Sequence, residues 1–348
     1  MDLPTIDESK RQHTIRKWKL LERYIAPWLQ IVSRHFPRAV YVDAFAGAGA
    51  WVGHPSGARF EGSPLIAARA GAQVAARREH FRLELIAVEV ANRRADQLRA
   101  LLAPFAPDVR EGRFEEEFPA ILRQVSDARV PSLWFVDPDG MEAGFGQMRE
   151  VRQLRSAELL FNYSAEGVRR VVGAAVGQHK QAAALGRRLV TFGFTERPEE
   201  PADRDEQERL ALFVGTFREW KPLVASMPFQ RRDRQPALYH FIFATDNNAG
   251  FSIMKDQMWK LDREGTLFAG IPPDPQGRVE AVLEERFGGQ TVTWADIHVG
   301  TSYHHSKLLQ ALRSLQRKGL VSCAELPENP DRMPLDHEFS FEPTLGLG

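Results

Sequence analysis

The stretch "YVDAFAGAGAWVG", residues 41–53, decides the fold. An apolar run ends in Asp43, and Gly47 and Gly49 follow. A buried strand that breaks into a glycine turn is the start of a strand–turn–helix unit. Glycines there let the backbone pass close to a ligand where a Cβ would clash. The turn on its own is ambiguous. It serves dinucleotides, S-adenosylmethionine (SAM) and plain structural turns alike.

The rest of the chain extends that unit. Before it, residues 10–30 place Ile15, Trp18, Leu21, Ile25 and Trp28 at helical spacing. After it, "SPLIAARAGAQVAAR" (63–77) reads as a helix and "LELIAVEV" (83–90) as a strand. "NRRADQLRALLAPF" (92–105) reads as a helix with an Asn cap. A short strand in "PDVREGRF" precedes the helix "EEEFPAILRQV". "SLWFVDPDG" (132–140) and "AELLFNYS" (157–164) are further strands. Helical "FGQMREVRQL" lies between them, and another helix runs to about residue 185. This βαβα rhythm predicts an α/β, Rossmann-like parallel sheet covered on both faces. "PLVASMPFQRRDRQPALYHFIFATDNN" (222–248) predicts two closing strands around an Arg-rich turn.

"FSIMKDQMWKL" (251–261) is helical, and the Pro- and Gly-rich residues 263–276 read as a linker. Beyond them come the helix "VEAVLEERFGG", the short helix "TWADIHVG" and a third helix ending at Gly319 before an apolar strand. That order predicts a winged helix over 277–348, after a Rossmann-like domain over 1–262. No acid occurs between Asp296 and Glu325, while Lys307, Arg313, Arg317 and Lys318 do.

Bulk composition narrows the function classes. Net charge is zero, so contact with nucleic acid must come from local patches. Three are visible: Lys10, Arg11, Arg16, Lys17 and Lys19 in the first helix, Arg231, Arg232 and Arg234 in the hairpin turn, and Lys307 and Arg313 with their neighbours. A solvated helix face gives the same pattern. Within the first helix, His13, Arg16 and Lys17 are candidates to border a cleft. Cys323 is the one cysteine, which rules out a disulfide framework or a multi-cysteine metal site, and no metal is expected. The N-terminus lacks a signal-peptide pattern and no apolar run nears the ~20 residues that span a bilayer. No membrane contact is expected, and the expected compartment is the cytoplasm.

Three strand tips carry candidate chemistry. After Gly49 the next helix waits until about Ser63. A dinucleotide site wants a third glycine opening a helix at once, with pyrophosphate on its N-terminus. The long gap suits SAM, which has no pyrophosphate. Phe45 stands in the turn as a further cofactor contact. Glu89 ends the second strand, with Asn92 close behind. An acid there can accept both ribose hydroxyls, or it can simply favour a helix N-terminus. The fourth strand ends in Asp137 and Pro138. Methyl transfer to an amino nitrogen needs an acceptor for the amine protons and a lone pair aimed at the sulfonium methyl. An Asp carboxylate and the carbonyl of a backbone-fixed Pro supply both. An Asp-Pro turn after a buried strand is the plainer account. Asn162 and Tyr163, at the fifth strand tip, are candidates for the pocket rim.

Taken together, "YVDAFAGAG", "GSPLIA", "IAVEV", "WFVDPDG", "LLFNYSAEGVRR" and "LYHFIFATDNNAGFSIMK" resemble the three-Cys-motif partner family, as does the N-terminal "HTIRKWKLLERYI". The resemblance covers nearly the whole chain. It implies a class I SAM-dependent methyltransferase fold, with Asp43, Gly47 and Gly49 at the methionine end and Glu89 at the ribose. It also implies a protein partner, the radical-SAM-like three-Cys-motif protein for which the family is named. The fourth-strand motif is usually Asp-Pro-Phe-Gly in such proteins and is similar to that of tRNA guanine N2-dimethyltransferases. Here Asp139 stands in place of the Phe, and Phe161 or Tyr163 is the candidate substitute. Where methyltransferases often place Gly-Asp to touch adenine, this chain has Gly112–Arg113, with Phe114 as the candidate ring to stack on it. The expected function is SAM-dependent methylation of an exocyclic amine, on an RNA or DNA base. The alternative is a SAM-binding adaptor without catalysis.

Overall fold

The computed structural model describes residues 3–9, 11–126, 130–138, 150–151, 154, 156–176, 206–231, 234–261, 276–301, 303 and 305–343. By contacts the chain divides into two compact units. One is Met1–Lys221 with Ser226–Ala244, and the other is Pro222–Ala225 with Thr245–Gly348. The expected linker over 263–276 lies outside the described residues except for Gln276, which begins a helix.

The first unit opens with β1 (Thr5–Asp7) and the helix α1 (Gln12–His35). Its apolar stripe is buried as expected, from Trp18 and Leu21 through Ile25 to Trp28, and the helix runs five residues past Gln30. Then come β2 (Arg38–Asp43), β3 (Ala50–His54), β4 (Arg59–Glu61) and α2 (Ser63–Ala75). They are followed by β5 (Arg82–Glu89), α3 (Asn92–Leu102), β6 (Asp108–Glu111), α4 (Phe114–Val125), β7 (Ser132–Val136) and β8 (Ala157–Tyr163). The helices α5 (Ala165–Val176) and α6 (Glu206–Arg218) precede β9 (Leu223–Arg231) and β10 (Arg234–Thr245). The expected helix "FGQMREVRQL" and the continuation of α5 towards residue 185 lie outside the described residues.

Seven strands form one sheet in the order β6-β5-β2-β7-β8-β10-β9. β2 pairs in parallel with β5 and β7, β5 with β6, and β7 with β8. β10 runs antiparallel to β8. Valine, leucine, phenylalanine and tryptophan fill the central strands on both faces: Tyr41, Val42, Ile86, Trp134 and Leu160 are fully buried. Strand order reverses between β2 and β7. The carboxyl ends of β2, β5 and β7 therefore surround the switch point where such sheets bind ligands. Those ends are Asp43, Glu89 and the residue after Val136, Asp137.

The helix after Gly49 does begin at Ser63, and the gap before it holds a hairpin. β3 and β4 pair antiparallel there, and β1 adds in parallel to β3 as a second, three-stranded sheet. One local expectation needs correction. α3 is not capped by Asn92, which is its first helical residue. Its N-cap is Ala91, with no side-chain cap, and the Glu89 carboxylate accepts the Ala91 N–H at 2.8 Å instead.

The second unit contains α7 (Asn248–Leu261), α8 (Gln276–Phe287), β11 (Thr291–Thr293), α9 (Trp294–Gly300), α10 (His305–Arg317), β12 (Val321–Cys323) and β13 (Glu338–Phe341). The three strands form a sheet with β13 in the middle, antiparallel to both neighbours. Leu308, Leu312 and Leu315 recur at helical spacing on α10 and pack with Leu283, Trp294, Ile297 and Phe339 in one core. A reciprocal capping box between Thr293 and Asp296 starts α9. Gly319, at φ +72°, turns the chain out of α10 into β12. Among the described residues no helix is long and apolar enough to cross a membrane.

Candidate functional site

A cavity of about 400 Å³ opens at the carboxyl ends of β2, β5 and β7. Each wall comes from a different element. The turn after β2 supplies Phe45, Ala46 and Gly47. The β5 tip supplies Val88, Glu89 and Val90, with Arg94 behind it. The β6–α4 junction supplies Gly112, Arg113 and Phe114. Asp137 closes the β7 side, and Thr14, Trp18 and Trp51 close the front.

The two glycines of the turn do different work. Both have positive φ, +63° at Gly47 and +77° at Gly49. Gly47 lines the cavity, and a Cβ there would sit 3.1 Å from the Trp51 ring. Gly49 is not among the lining residues. A Cβ on it would strike Leu98 at 2.7 Å and Leu101 at 2.9 Å, so its bareness lets α3 pack against the turn.

Asp43 lies beneath the floor of the cavity and does not line it. It is fully buried. Tyr41 donates to its Oδ2 at 3.2 Å, its Oδ1 has no hydrogen-bond partner among the described residues, and the Ser63 hydroxyl and Phe45 N–H lie near enough to favour the charged form. Burial pushes its carboxyl up to about 7; these donors pull it down, and the charge of Asp137 adds to the rise. Asp43 thus lies between the turn and the start of α2, whose Ser63 lines the cavity.

On the opposite side Glu89 is 6% exposed. Its Oε1 holds the Ala91 N–H at 2.8 Å and the Arg94 guanidinium at 3.2 Å. Asn92 points elsewhere: its amide donates to Glu111 at 2.9 Å, and it is not among the lining residues. Phe114 forms an aromatic wall, tilted against Phe45 at 5.8 Å and edge-on to Phe118 at 5.5 Å.

Asp137 sits at the centre of a polar cluster drawn from three elements. Lys17 of α1 donates to both its oxygens, at 2.6 and 2.7 Å. The Asn162 amide donates to Oδ1 at 2.6 Å. Lys17 is buried, and its ammonium lies 5.2 Å from the centre of the Tyr239 ring, on which His13 stacks at 5.0 Å. Asn162 is 1% exposed, and its Oδ1 has no hydrogen-bond partner among the described residues. Pro138 is buried, and Asp139 and Gly140 lie outside the described residues.

Successive residues of β8 face opposite sides of the sheet. Asn162 faces Asp137. Phe161 and Tyr163 share the other face, where both rings meet Phe213 of α6, at 5.3 and 5.0 Å. Neither is among the residues that line the cavity, and neither are Asn162 and Pro138, which stand behind Asp137.

The outlying basic residues divide between the two units. Arg231 ends β9 and Arg234 begins β10, but their side chains, and Arg232 altogether, lie outside the described residues. Lys307 is exposed on α10. Arg313, on the same helix, is half-buried and donates to the Pro327 carbonyl at 2.7 Å. Lys17 does not share a surface patch with its basic neighbours but lies inside, on Asp137.

Sequence reasoning missed Trp18 and Trp51 as cavity residues. Their rings stack at 4.7 Å. Trp18 reads as one more member of the core stripe, and Trp51 belongs to the hairpin that the sequence pattern hid. Arg94 and Arg113 carried no signal beyond their position after strand tips.

No family model matches this chain, and no curated protein matches it. Solved structures overlap it loosely. Protein LPL1258 from Legionella pneumophila is 10% identical, with a TM-score of 0.43, covering 73% of this chain and 94% of that one. An O-methyltransferase from Bacillus cereus, crystallised with S-adenosylhomocysteine (SAH), is 10% identical, with a TM-score of 0.33, over 64% of this chain and 80% of its own. Human methyltransferase-like protein 13, also with SAH, is 11% identical, with a TM-score of 0.31, over 72% and 92%.

Proposed function

We propose that the protein is a SAM-dependent methyltransferase that acts on an exocyclic amino nitrogen of a nucleic-acid base. One observation carries the reading: the cavity lies at the switch point of the sheet, with Glu89 at one end and Asp137 at the other. An acid at the second strand tip suits a ribose, and the Phe114 ring suits an adenine face. Gly47 leaves room for a close backbone approach. Bound there, SAM would supply an electrophilic methyl on a sulfonium, a good leaving group.

The chain's own residues would supply position. Trp18 and Trp51 wall the front and exclude water. Asp137, held by Lys17 and Asn162, fixes the polar end of the acceptor recess. Asn162 Oδ1, which has no partner among the described residues, would take an amine N–H that reached past Asp137, with the Pro138 carbonyl as a second acceptor. Positioning of this kind contributes much of the rate when the leaving group is already good.

We read the chain as a member of the three-Cys-motif partner family, on the motifs quoted above. The order helix, strand, helix, helix, strand, strand over 276–341 supports a winged helix, in which α10 would be the helix presented to nucleic acid. A second reading, a SAM-binding adaptor of a radical-SAM-like protein, is favoured by one fact: Asp137 is already held within the chain by Lys17 and Asn162. Calorimetry with SAM, SAH and NAD tests the cofactor. Mass spectrometry of nucleosides from cells with and without the protein tests the substrate. A missing N-methylated nucleoside in the deleted strain is expected; identical nucleoside profiles would favour the adaptor.

A further inference from the structure

The acceptor recess is electrically balanced before any acceptor arrives. Asp137 is 16% exposed at its side chain and Lys17 6%, and their charged groups touch at 2.6 Å. Asp43, the next carboxylate, lies under the floor, held by Tyr41 at its Oδ2. Two buried oxygens at this end have no hydrogen-bond partner among the described residues, Asp43 Oδ1 beneath the floor and Asn162 Oδ1 beside Asp137. Asn162 is 1% exposed, and its own amide grips Asp137 at 2.6 Å. A buried acceptor without a donor is costly, so a ligand N–H that reached Asn162, directly behind the cavity-lining Asp137, would be favoured.

The charge state of that ligand follows from the same contacts. An alkylammonium entering a buried site loses its hydration and needs an unpaired anion to offset the loss. Asp137 is not such an anion, because Lys17 already neutralises it. An aromatic amine is uncharged near neutral pH and brings N–H donors with little hydration to lose. We propose that Lys17 sets the acceptor specificity of this site, admitting neutral exocyclic amines of planar bases and excluding alkylammonium groups. The inference deepens the methyltransferase reading and rests on it. Lys17 acts through Asp137 and is therefore a positioning residue.

The test follows tritium from labelled SAM into two kinds of acceptor: random-sequence single-stranded RNA and DNA, and spermidine. Wild-type protein is expected to label nucleic acid and leave spermidine unlabelled. Lys17→Met exposes the Asp137 charge. It should lower transfer to nucleic acid by about 100-fold, the scale of a misplaced reacting group, and make spermidine an acceptor: the unpaired Asp137 carboxylate takes one ammonium proton, the freed nitrogen lone pair bonds the methyl, and the S–CH3 bond breaks to leave SAH. Lys17→Arg, which keeps the charge, should restore discrimination. SAH affinity, measured alongside, should stay the same in all three. Wild-type labelling of spermidine as readily as nucleic acid would overturn the inference, as would an undiminished rate in Lys17→Met. If that variant fails to fold, the wild type and Lys17→Arg still decide through their spermidine-to-nucleic-acid ratio. Wild-type labelling of spermidine beside nucleic acid overturns this inference alone, whereas binding of SAH without labelling of either acceptor overturns it together with the nucleic-acid methyltransferase reading and leaves the adaptor. Failure to bind SAM or SAH removes the methyltransferase reading beneath it as well.

Discussion

Trp18 of α1 stacks on Trp51 of β3 with ring centres 4.7 Å apart, and the Trp51 indole fills the space that side chains at positions 47 and 62 would need. A Cβ on Gly62 would lie 2.4 Å from the indole and 3.1 Å from the Gly49 carbonyl. One glycine turn, one hairpin and the first helix thus interlock at the cavity mouth.

That interlock predicts a coupled pair of substitutions. Gly62→Ala should cost about 1–3 kcal/mol, the range for overpacking a filled site. Trp51→Ala removes the ring that the new methyl strikes. The double variant should therefore lose less than the sum of the two single losses. Urea unfolding midpoints of the four proteins measure this. Additive losses would mean that the Gly49 carbonyl, and not the indole, forbids a side chain at 62.

Glu89 separates two roles that the sequence left open. It accepts the Ala91 N–H at the start of α3, and it also lines the cavity. Glu89→Gln keeps a carbonyl for the Ala91 N–H and removes the charge. If the carboxylate also holds a ribose, SAH affinity should weaken by about 1.5–3 kcal/mol, the range for a hydrogen bond to a charged group. Calorimetry reads this directly. Equal affinities in wild type and Glu89→Gln would leave Glu89 with its structural role alone.

Asp43 gives a pH signature. Burial raises its carboxyl from 3.8 to about 7, so the folded chain keeps a proton that the unfolded chain has already released. Stability contributed by that proton is complete in acid and is lost as pH climbs from about 4 to about 7, levelling off above. His240, which burial depresses to about 4, pulls the other way. The informative quantity is a difference. Asp43→Asn should gain stability relative to wild type as pH rises through that window. Parallel curves would mean that Tyr41, Ser63 and the Phe45 N–H hold Asp43 ionised throughout.

Much of this architecture was legible because buried parallel strands are apolar runs and their helices carry a 3.6-residue period. β2, β5, β7 and β8 stand where the runs are. The β3–β4 hairpin was not legible: Ala50–His54 is five residues with a glycine inside, too short and broken for an alternation to show. Lys17 misled for a different reason. It sits among Lys and Arg, which suggests a solvated face. It also lies four residues before Leu21 and seven before Tyr24, on the buried stripe. A lysine on that stripe needs an anion, and the anion, Asp137, is 120 residues away, where no local pattern can point. Asn162 was legible as a strand-tip residue, but the opposite facing of Phe161 and Tyr163 becomes visible only once the strand's faces are fixed.

Nucleic-acid contact through α10 predicts unequal roles for two of its basic residues. Lys307 is exposed. Arg313 is half-buried, with its guanidinium on the Pro327 carbonyl, and Lys318 pairs with Glu280. Each lysine or arginine that neutralises a phosphate contributes about 0.7–0.9 to the slope of log affinity against log salt. Lys307→Ala should therefore flatten that slope by about one contact and weaken binding to all sequences alike, because phosphate contacts position and do not specify. Arg313→Ala should leave the slope unchanged and lower the unfolding midpoint, since it strips a hydrogen bond that ties α10 to the segment after β12. Labelled RNA hairpins and DNA duplexes titrated at several salt concentrations distinguish the two. A slope that falls with Arg313 and not with Lys307 would mean that Arg313 leaves Pro327 to reach the phosphates. A slope that neither variant moves would take α10 out of the interface and leave the hairpin arginines, Arg231, Arg232 and Arg234, as the contacts to neutralise next.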